Sequence, residues 1–322
     1  MPDHHAARLA LGRPYEVRTL AGFAVGAGDP VAAKAAFTDA SVAVSTEVAV
    51  GGMHAHGETP SLSLLDVGAP YAPAMPNSEP VRRVAIVMAM EAEAAPLRRA
   101  VGAQDLASPG WASALPVRLA GAPAGPSWPE LVLAVNGTDP ITGIPCIGTT
   151  AAALTTHVVL NLPEPPDLVL TVGTCGGWTR AGASIGTTYL AWPHFSCHDR
   201  RIDLPGFRAF ADGDLPAADL RTHAEALGCE LGIVTTGDSL DESPTDHDRI
   251  VDNGGVAKEM EAAAVAWVCH LHGVPVGGIK TVTDLVDSAV PTPDQFSANL
   301  AAASAALEST TLGLLSRLAD AE

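Results

Sequence analysis

Basic residues are what this chain has least of relative to need. Lysine and arginine together number 18 against 36 acids, a formal net charge of -18. Nucleic acid and anionic membrane surfaces both require a basic footprint, so neither is expected as a partner. The five cysteines (Cys146, Cys175, Cys197, Cys229, Cys269) are odd in number, scattered and never spaced C-x-x-C. A disulfide framework and a structural zinc site are therefore not expected, and a reducing, cytoplasmic compartment is. No stretch reaches the ~18 charge-free apolar residues of a membrane span. The start, MPDHHAARLALGRPYE, has early acids and no unbroken apolar core, so no secretory signal is expected. A G-x-G-x-x-G turn between strand and helix is also missing, which disfavours a dinucleotide site. No internal repeat is evident.

What is there suits a globular enzyme. Hydrophobic residues make up 47% of 322 positions, with aromatics only 4% and charged residues 17%. That is enough apolar material for one large α/β domain or two small ones. Residues 1 to 80 differ from the rest, mixing Ala, Gly and Pro with isolated charges and turning loop-like from Gly51 to Pro80. A loosely structured N-terminal extension is expected there. His54 and His56 in it read as solvated loop histidines.

From residue 81 onward, apolar strands alternate with helices, the pattern of an α/β fold with a parallel or mixed central sheet. Val84–Met88 reads as a buried parallel strand running into a helix that holds Glu93 in its first turn. Glu91 and Glu93 could simply complement the helix dipole. Glu130–Val135 is a second strand, and 148 to 160 a helix. Leu168–Val172 is a third strand, ending in Gly173-Thr174-Cys175-Gly176-Gly177, where glycines either let a ligand approach the backbone or form a plain tight turn. Thr187–Ala191 and Leu231–Thr235 read as further strands. His194 to Arg201 is polar and loop-like, with spacing wrong for tetrahedral metal ligation, so no metal is expected. Leu215–Gly228 and Thr292–Leu318 read as helices.

The most informative stretch is Lys258–Asp287. A helix apolar all round, Ala262–Val268, opens beside Glu261 and stops at Gly273 and Pro275. Val276–Val282 then rises as a buried strand to Asp284. Carboxylates seldom sit buried without a purpose or a partner, and strand ends are where open α/β sheets bind ligands. Glu93, Thr174 to Gly177, Leu240 and Asp284 all fall at such ends, and their convergence predicts one pocket.

At these same residues the chain resembles the nucleoside phosphorylase superfamily, and within it the plant-type branch of the 5′-methylthioadenosine/S-adenosylhomocysteine nucleosidases. The resemblance is carried in order by VAIVMAMEAEAAPL (84–97), LTVGTCGG (170–177), CHDRRI (197–202), TTGDSLD (235–241), KEMEAAAVA (258–266) and KTVTDLVD (280–287). It implies a single three-layer αβα domain with a mixed central sheet over residues 81–322, and leaves 1–80 outside.

The resemblance also implies roles. Glu93 matches the acid that activates the attacking water, and Asp284 the acid that protonates adenine N7 as the base leaves. Glu261 matches the ligand of the ribose hydroxyls, and Met260 the residue packed on sugar and base. Thr174, Cys175 and Gly176 match the backbone wall beside the substrate, and the main chain at Leu240 and Asp241 the adenine-edge contact. Such chemistry needs one carboxyl protonated and another ionised, and no metal or organic cofactor. The implied activity is hydrolysis of a purine nucleoside in methionine salvage, by a homodimer. The choice between 5′-methylthioadenosine and S-adenosylhomocysteine stays open at the region from Asp203 to Asp214, where the plant-type pattern is departed from. A phosphate-using phosphorylase is disfavoured by the lack of an Arg-bearing phosphate loop, and nothing supports a nucleoside-binding protein without turnover.

Overall fold

A computed structural model of the chain describes residues 81–319; the expectations for residues 1 to 80, His54 and His56 included, lie outside the described residues. The first half of the described chain holds β1 (Arg83–Met88), α1 (Glu91–Ala100), β2 (Gln104–Leu106), β3 (Arg118–Ala122), β4 (Glu130–Val135), α2 (Thr149–Leu160) and β5 (Leu168–Gly177). The second holds β6 (Thr188–Cys197), α3 (Arg208–Asp212), β7 (Leu215–Pro216), α4 (Arg221–Leu227), β8 (Glu230–Thr236), α5 (Pro244–Asn253), β9 (Gly255–Glu259), α6 (Ala262–His272), β10 (Val276–Leu285) and α7 (Thr292–Ala319).

The strands form one mixed sheet, ordered β10-β6-β8-β9-β5-β1-β4-β3-β2 with β7 beside β6. Because β10 also pairs with β5, the strands β5, β10, β6, β8 and β9 close on themselves, while β1 to β4 extend as an open wing. Helices cover both faces, which is why the central strands read as unbroken apolar runs. In β1, Ala85 and Val87 join the core beneath α2 and α6, while Val84, Ile86 and Met88 join the one beneath α1, α4 and α7. Each fully buried aliphatic side chain of this kind is worth about 1.5–3 kcal/mol. The α/β class and the three-layer arrangement are as expected. No helix among the described residues is long and apolar enough to cross a membrane.

Several local expectations are corrected. The glycines after Val172 are not a turn: β5 continues through Gly177, because β10 pairs with it along one edge and β9 reaches it on the other at Gly176 and Gly177. The polar stretch from His194 is strand as far as Cys197, with Phe195, Ser196, Cys197 and His198 buried between β7 and β8. Only Arg221–Leu227 of the helix expected over 215–228 is helical, since Leu215 and Pro216 pair with Phe195 and His194 instead. Helix α5 was not anticipated, although Ser243-Pro244-Thr245-Asp246 carries its signal. Ser243 Oγ accepts from the Asp246 N–H, Asp246 answers the Ser243 N–H, and Pro244 opens the first turn.

Candidate active site

One edge of β5 is shared by two strands. β1 pairs along it as far as Thr171, and β9 takes over at Gly176. Between them Val172–Cys175 face a gap rather than a strand, and a cavity of about 210 Å³ opens there.

Glu93 enters the gap from the first turn of α1. One carboxylate oxygen accepts the Thr174 N–H and the Thr174 hydroxyl, each at 2.8 Å, so the backbone donor that the missing strand would have used goes to a side chain. The other accepts the Met90 N–H at 3.3 Å, which fixes Glu93 against its own helix start. The carboxylate thus takes three donors while only 3% exposed. Gly173 faces the same groups: a Cβ there would meet Glu93 Oε1 at 3.4 Å and Lys280 Nζ at 3.6 Å, ordinary contact distances.

Glu261 sits at the start of α6, as expected, but it arrives from a strand, β9. Its carboxylate accepts the Gly148 N–H at 2.7 Å, across from the start of α2. Burial pushes its pKa up to about 7, the neighbouring Glu259 adds to the rise, and Lys280 and the Gly148 N–H oppose it. Beneath it lies an ion pair that sequence reasoning did not find. Glu259 Oε2 meets Lys280 Nζ at 2.8 Å with both side chains 2% exposed. Glu259 also accepts the N–H groups of Glu261 and Ala262 and the Thr236 hydroxyl, capping α6 from the preceding strand. Burial works against the Lys280 ammonium, but Glu259, Glu261 and Glu93 outweigh it and hold its pKa above the usual lysine value.

Asp284 lies near the end of β10, 3% exposed, where a bulge after Val282 shifts its register against β5. Burial raises its pKa against the lowering by the Thr283 hydroxyl at 2.9 Å and the charge of Lys258. Its space depends on Gly176: a Cβ there would come within 2.7 Å of Asp284 Oδ2.

The loop after β8 closes this end. Lys258 donates to the carbonyls of Ser239 at 2.6 Å and Leu240 at 3.0 Å, and Asp238 accepts the Thr149 N–H at 2.6 Å. The cavity wall thus brings together Glu93, Thr174, Cys175, Gly176, Leu240, Met260, Glu261 and Asp284, with Phe296 from α7. Asp241 is exposed and stands outside the wall. Lys258, Glu259 and Lys280 are the charged wall residues that the sequence did not single out. Burial pushes the Cys175 thiol upward, so it is a neutral wall group rather than a nucleophile.

Comparison with known proteins places the chain in a family. The model of the phosphorylase superfamily matches residues 83–316. The 5′-methylthioadenosine nucleosidase of Arabidopsis thaliana is 36% identical over 242 residues, covering 72% of this chain and 85% of the relative. The 5′-methylthioadenosine/S-adenosylhomocysteine nucleosidase of the same plant is 38% identical over 172 residues, covering 53% of this chain and 67% of the relative. The solved apo structure of Arabidopsis thaliana 5′-methylthioadenosine nucleosidase superposes with a TM-score of 0.71 at 35% identity, over 74% of this chain and 97% of that one. A family match that begins at β1, ends within α7 and spans every element of the pocket makes this chain a member of the phosphorylase superfamily.

Proposed function

We propose that the chain is a purine nucleosidase that hydrolyses the N-glycosidic bond of 5′-methylthioadenosine, releasing adenine and methylthioribose. The observation that carries the reading is the placement of two buried carboxyls along one strand. Glu93 abuts Gly173 and takes three donors, leaving it room to accept from a water; Asp284 abuts Gly176 and is pushed toward its protonated form by burial. Three strand steps, about 10 Å, separate those glycines, a span that suits a nucleoside.

In this mechanism Glu93 accepts a proton from water as the oxygen bonds to ribose C1′. Asp284 gives its proton to N7 of adenine as the C1′–N9 bond breaks and the electron pair leaves with the base. Glu261 accepts hydrogen bonds from the ribose hydroxyls, holding the sugar while positive charge builds on it. Met260 packs on the sugar, and Thr174, Cys175, Gly176 and Leu240 wall the substrate. Similarity to nucleosidases of both specificities leaves the larger thioether as a second substrate to be compared. Phosphorolysis is not favoured: among the described residues no arginine lines the cavity, and Lys280 is engaged by Glu259.

The same reading includes a homodimer. Ile141 is 92% exposed, Ile144 is also exposed, and Ile147 both lies exposed and lines the cavity, so an apolar surface runs into the pocket mouth and suits a second copy. The five free cysteines, four of them buried, suit a reducing compartment, and we assign the enzyme to the cytoplasm and to methionine salvage. The domain limits belong to the proposal too, with residues 1–80 as an extension and 81–322 as the catalytic domain.

The test is adenine release from 5′-methylthioadenosine in phosphate-free buffer, repeated with added phosphate and with S-adenosylhomocysteine. Release without phosphate, giving free methylthioribose, is expected. Release only with phosphate would overturn the role of Glu93.

A further inference from the structure

Lys258 is a buried cation that has no part in the proton transfers or sugar contacts of the proposed reaction. It is 5% exposed and lines the cavity. Lysines are almost never buried this far unless something holds the charge. Here two neutral carbonyls do so, Ser239 O at 2.6 Å and Leu240 O at 3.0 Å, and no carboxylate touches it among the described residues. An ammonium seated on two successive carbonyls of a loop fixes the backbone of that loop. The loop in question supplies Leu240, the one residue of 237–241 that reaches the cavity wall.

The sheet also sets Lys258 opposite the acid. Gly176 of β5 pairs with Asp284 of β10 on one side and with Lys258 of β9 on the other. Residues directly opposite one another on adjacent strands project from the same face. The row Asp284–Gly176–Lys258 therefore raises an acid and a base on the cavity face, two strand spacings or about 10 Å apart at the backbone, with no side chain between them. The other charged and titratable groups around this pair are accounted for. Asp241 and Glu242 lie on the loop, Asp246 on α5, His198 after β6 and Cys175 on β5, and Lys258 is the cation that acts on Asp284.

We propose that Lys258 is a positioning residue for the departing base: its ammonium clamps the Ser239–Leu240 backbone so that Leu240 closes the cavity beside Asp284, and it holds a fixed positive charge across Gly176 from that acid. The proposal rests on the reading of Asp284 as the group that meets the base. The clamp makes Lys258 specific to one end of the substrate. Its loss weakens contacts to the base and leaves those to the sugar in place. Its charge opposes the effect of burial on Asp284, so removing it lets the carboxyl keep its proton to higher pH.

The test compares wild type with Lys258→Met, Lys258→Arg and Asp284→Asn, each checked for folding by circular dichroism. It measures inhibition of 5′-methylthioadenosine hydrolysis by free adenine and by free methylthioribose, and kcat from about pH 5 to about pH 10. Lys258→Met is expected to weaken inhibition by adenine about tenfold, to leave inhibition by methylthioribose within about twofold, and to move the high-pH limb of kcat upward by about one unit. Lys258→Arg, which keeps the charge, is expected to return the limb toward wild type. Equal weakening of both inhibitors, or an unmoved limb, would overturn the proposal, since a general loosening of the fold predicts the first and a distant structural role the second. If Lys258→Met does not fold, Lys258→Gln takes its place, with the same outcomes deciding. Retained turnover in Asp284→Asn would instead sink the assignment of the acid, and the adenine measurement would still judge the clamp by itself.

Discussion

Glu259 and Lys280 meet at 2.8 Å with almost no solvent on either, and they hold the floor of the cavity between β9 and β10. The mutual attraction of such a pair matters less than the damage done when it is broken. Forming it costs desolvation of both ions, so its net contribution is small, but removing one partner strands the other in the interior. Lys280→Met should therefore destabilise the protein by about 3–5 kcal/mol. In a domain of this size that lowers Tm by roughly 6–20 °C. The double variant Lys280→Met/Glu259→Gln should recover part of the loss, because no unpaired charge remains. Thermal unfolding of the three proteins checks this; a single variant no less stable than the double would refute it.

Glu93 depends on Thr174 for two of its three donors, and the two can be separated by substitution. Glu93→Gln should lower kcat by about 10²–10⁴ while the inert protein still binds nucleoside, since a general base is lost and the cavity shape is kept. Thr174→Val removes only the hydroxyl and keeps the N–H, so a fall in kcat of about tenfold is expected, and Thr174→Ser should restore most of it. Single-turnover rates and equilibrium binding, measured side by side, distinguish lost chemistry from lost affinity.

Carboxylates at the ends of apolar elements were legible without coordinates, because Glu93, Glu261 and Asp284 each follow or open a run that has no other reason to carry charge. The lysines were not. Lys280 sits in VGGIKTV, where one charge in a strand reads as a solvated edge position, and its partner Glu259 is brought to it only through the pairing of β10 and β9 on either side of β5. Lys258 was hidden in the same way, since its acceptors are backbone carbonyls that have no side-chain signature. Strand β5 was cut short at Gly173 because glycine favours turns locally, whereas two partner strands hold the segment extended. Fold class and the order of the major elements survived because long apolar strands covered on both faces leave little choice.

Gly176 tests how tightly the acid is seated. A Cβ at this position would lie 2.7 Å from Asp284 Oδ2 and 2.9 Å from Val286 Cγ2, both closer than real contacts allow. Gly176→Ala must push the Asp284 carboxylate from its place, at a cost of about 1–3 kcal/mol in stability. Because the proposed reaction needs that carboxyl within hydrogen-bond reach of the base, kcat should fall by about a hundredfold. Gly182 serves as the control: a Cβ there meets nothing within 4 Å, although its φ of 85° leaves some backbone strain. Gly182→Asn, which tolerates that conformation, should leave kcat near wild type. Comparable losses at both glycines would mean that kcat does not depend specifically on the seat of Asp284.

Glu261 should supply the low-pH limb of the rate profile. Its pKa is lifted to about 7, chiefly by burial and then by the charge of Glu259. Above that value the carboxylate is charged and can accept from two ribose hydroxyls; below it, a proton occupies one of the oxygens. Since kcat/KM reports groups of the free enzyme, it should fall with a slope near one as pH drops through about 7. The direction separates Glu261 from Asp284, which must carry its proton and so gives the opposite, high-pH limb. Glu261→Gln fixes the group in a neutral state. It should lower kcat/KM at about pH 8 by two to three orders of magnitude and flatten the low-pH limb, leaving the high-pH limb in place. A limb at about 7 that persists in Glu261→Gln would have to belong to another group, and the assignment of Glu261 to the ribose would lose its support in solution.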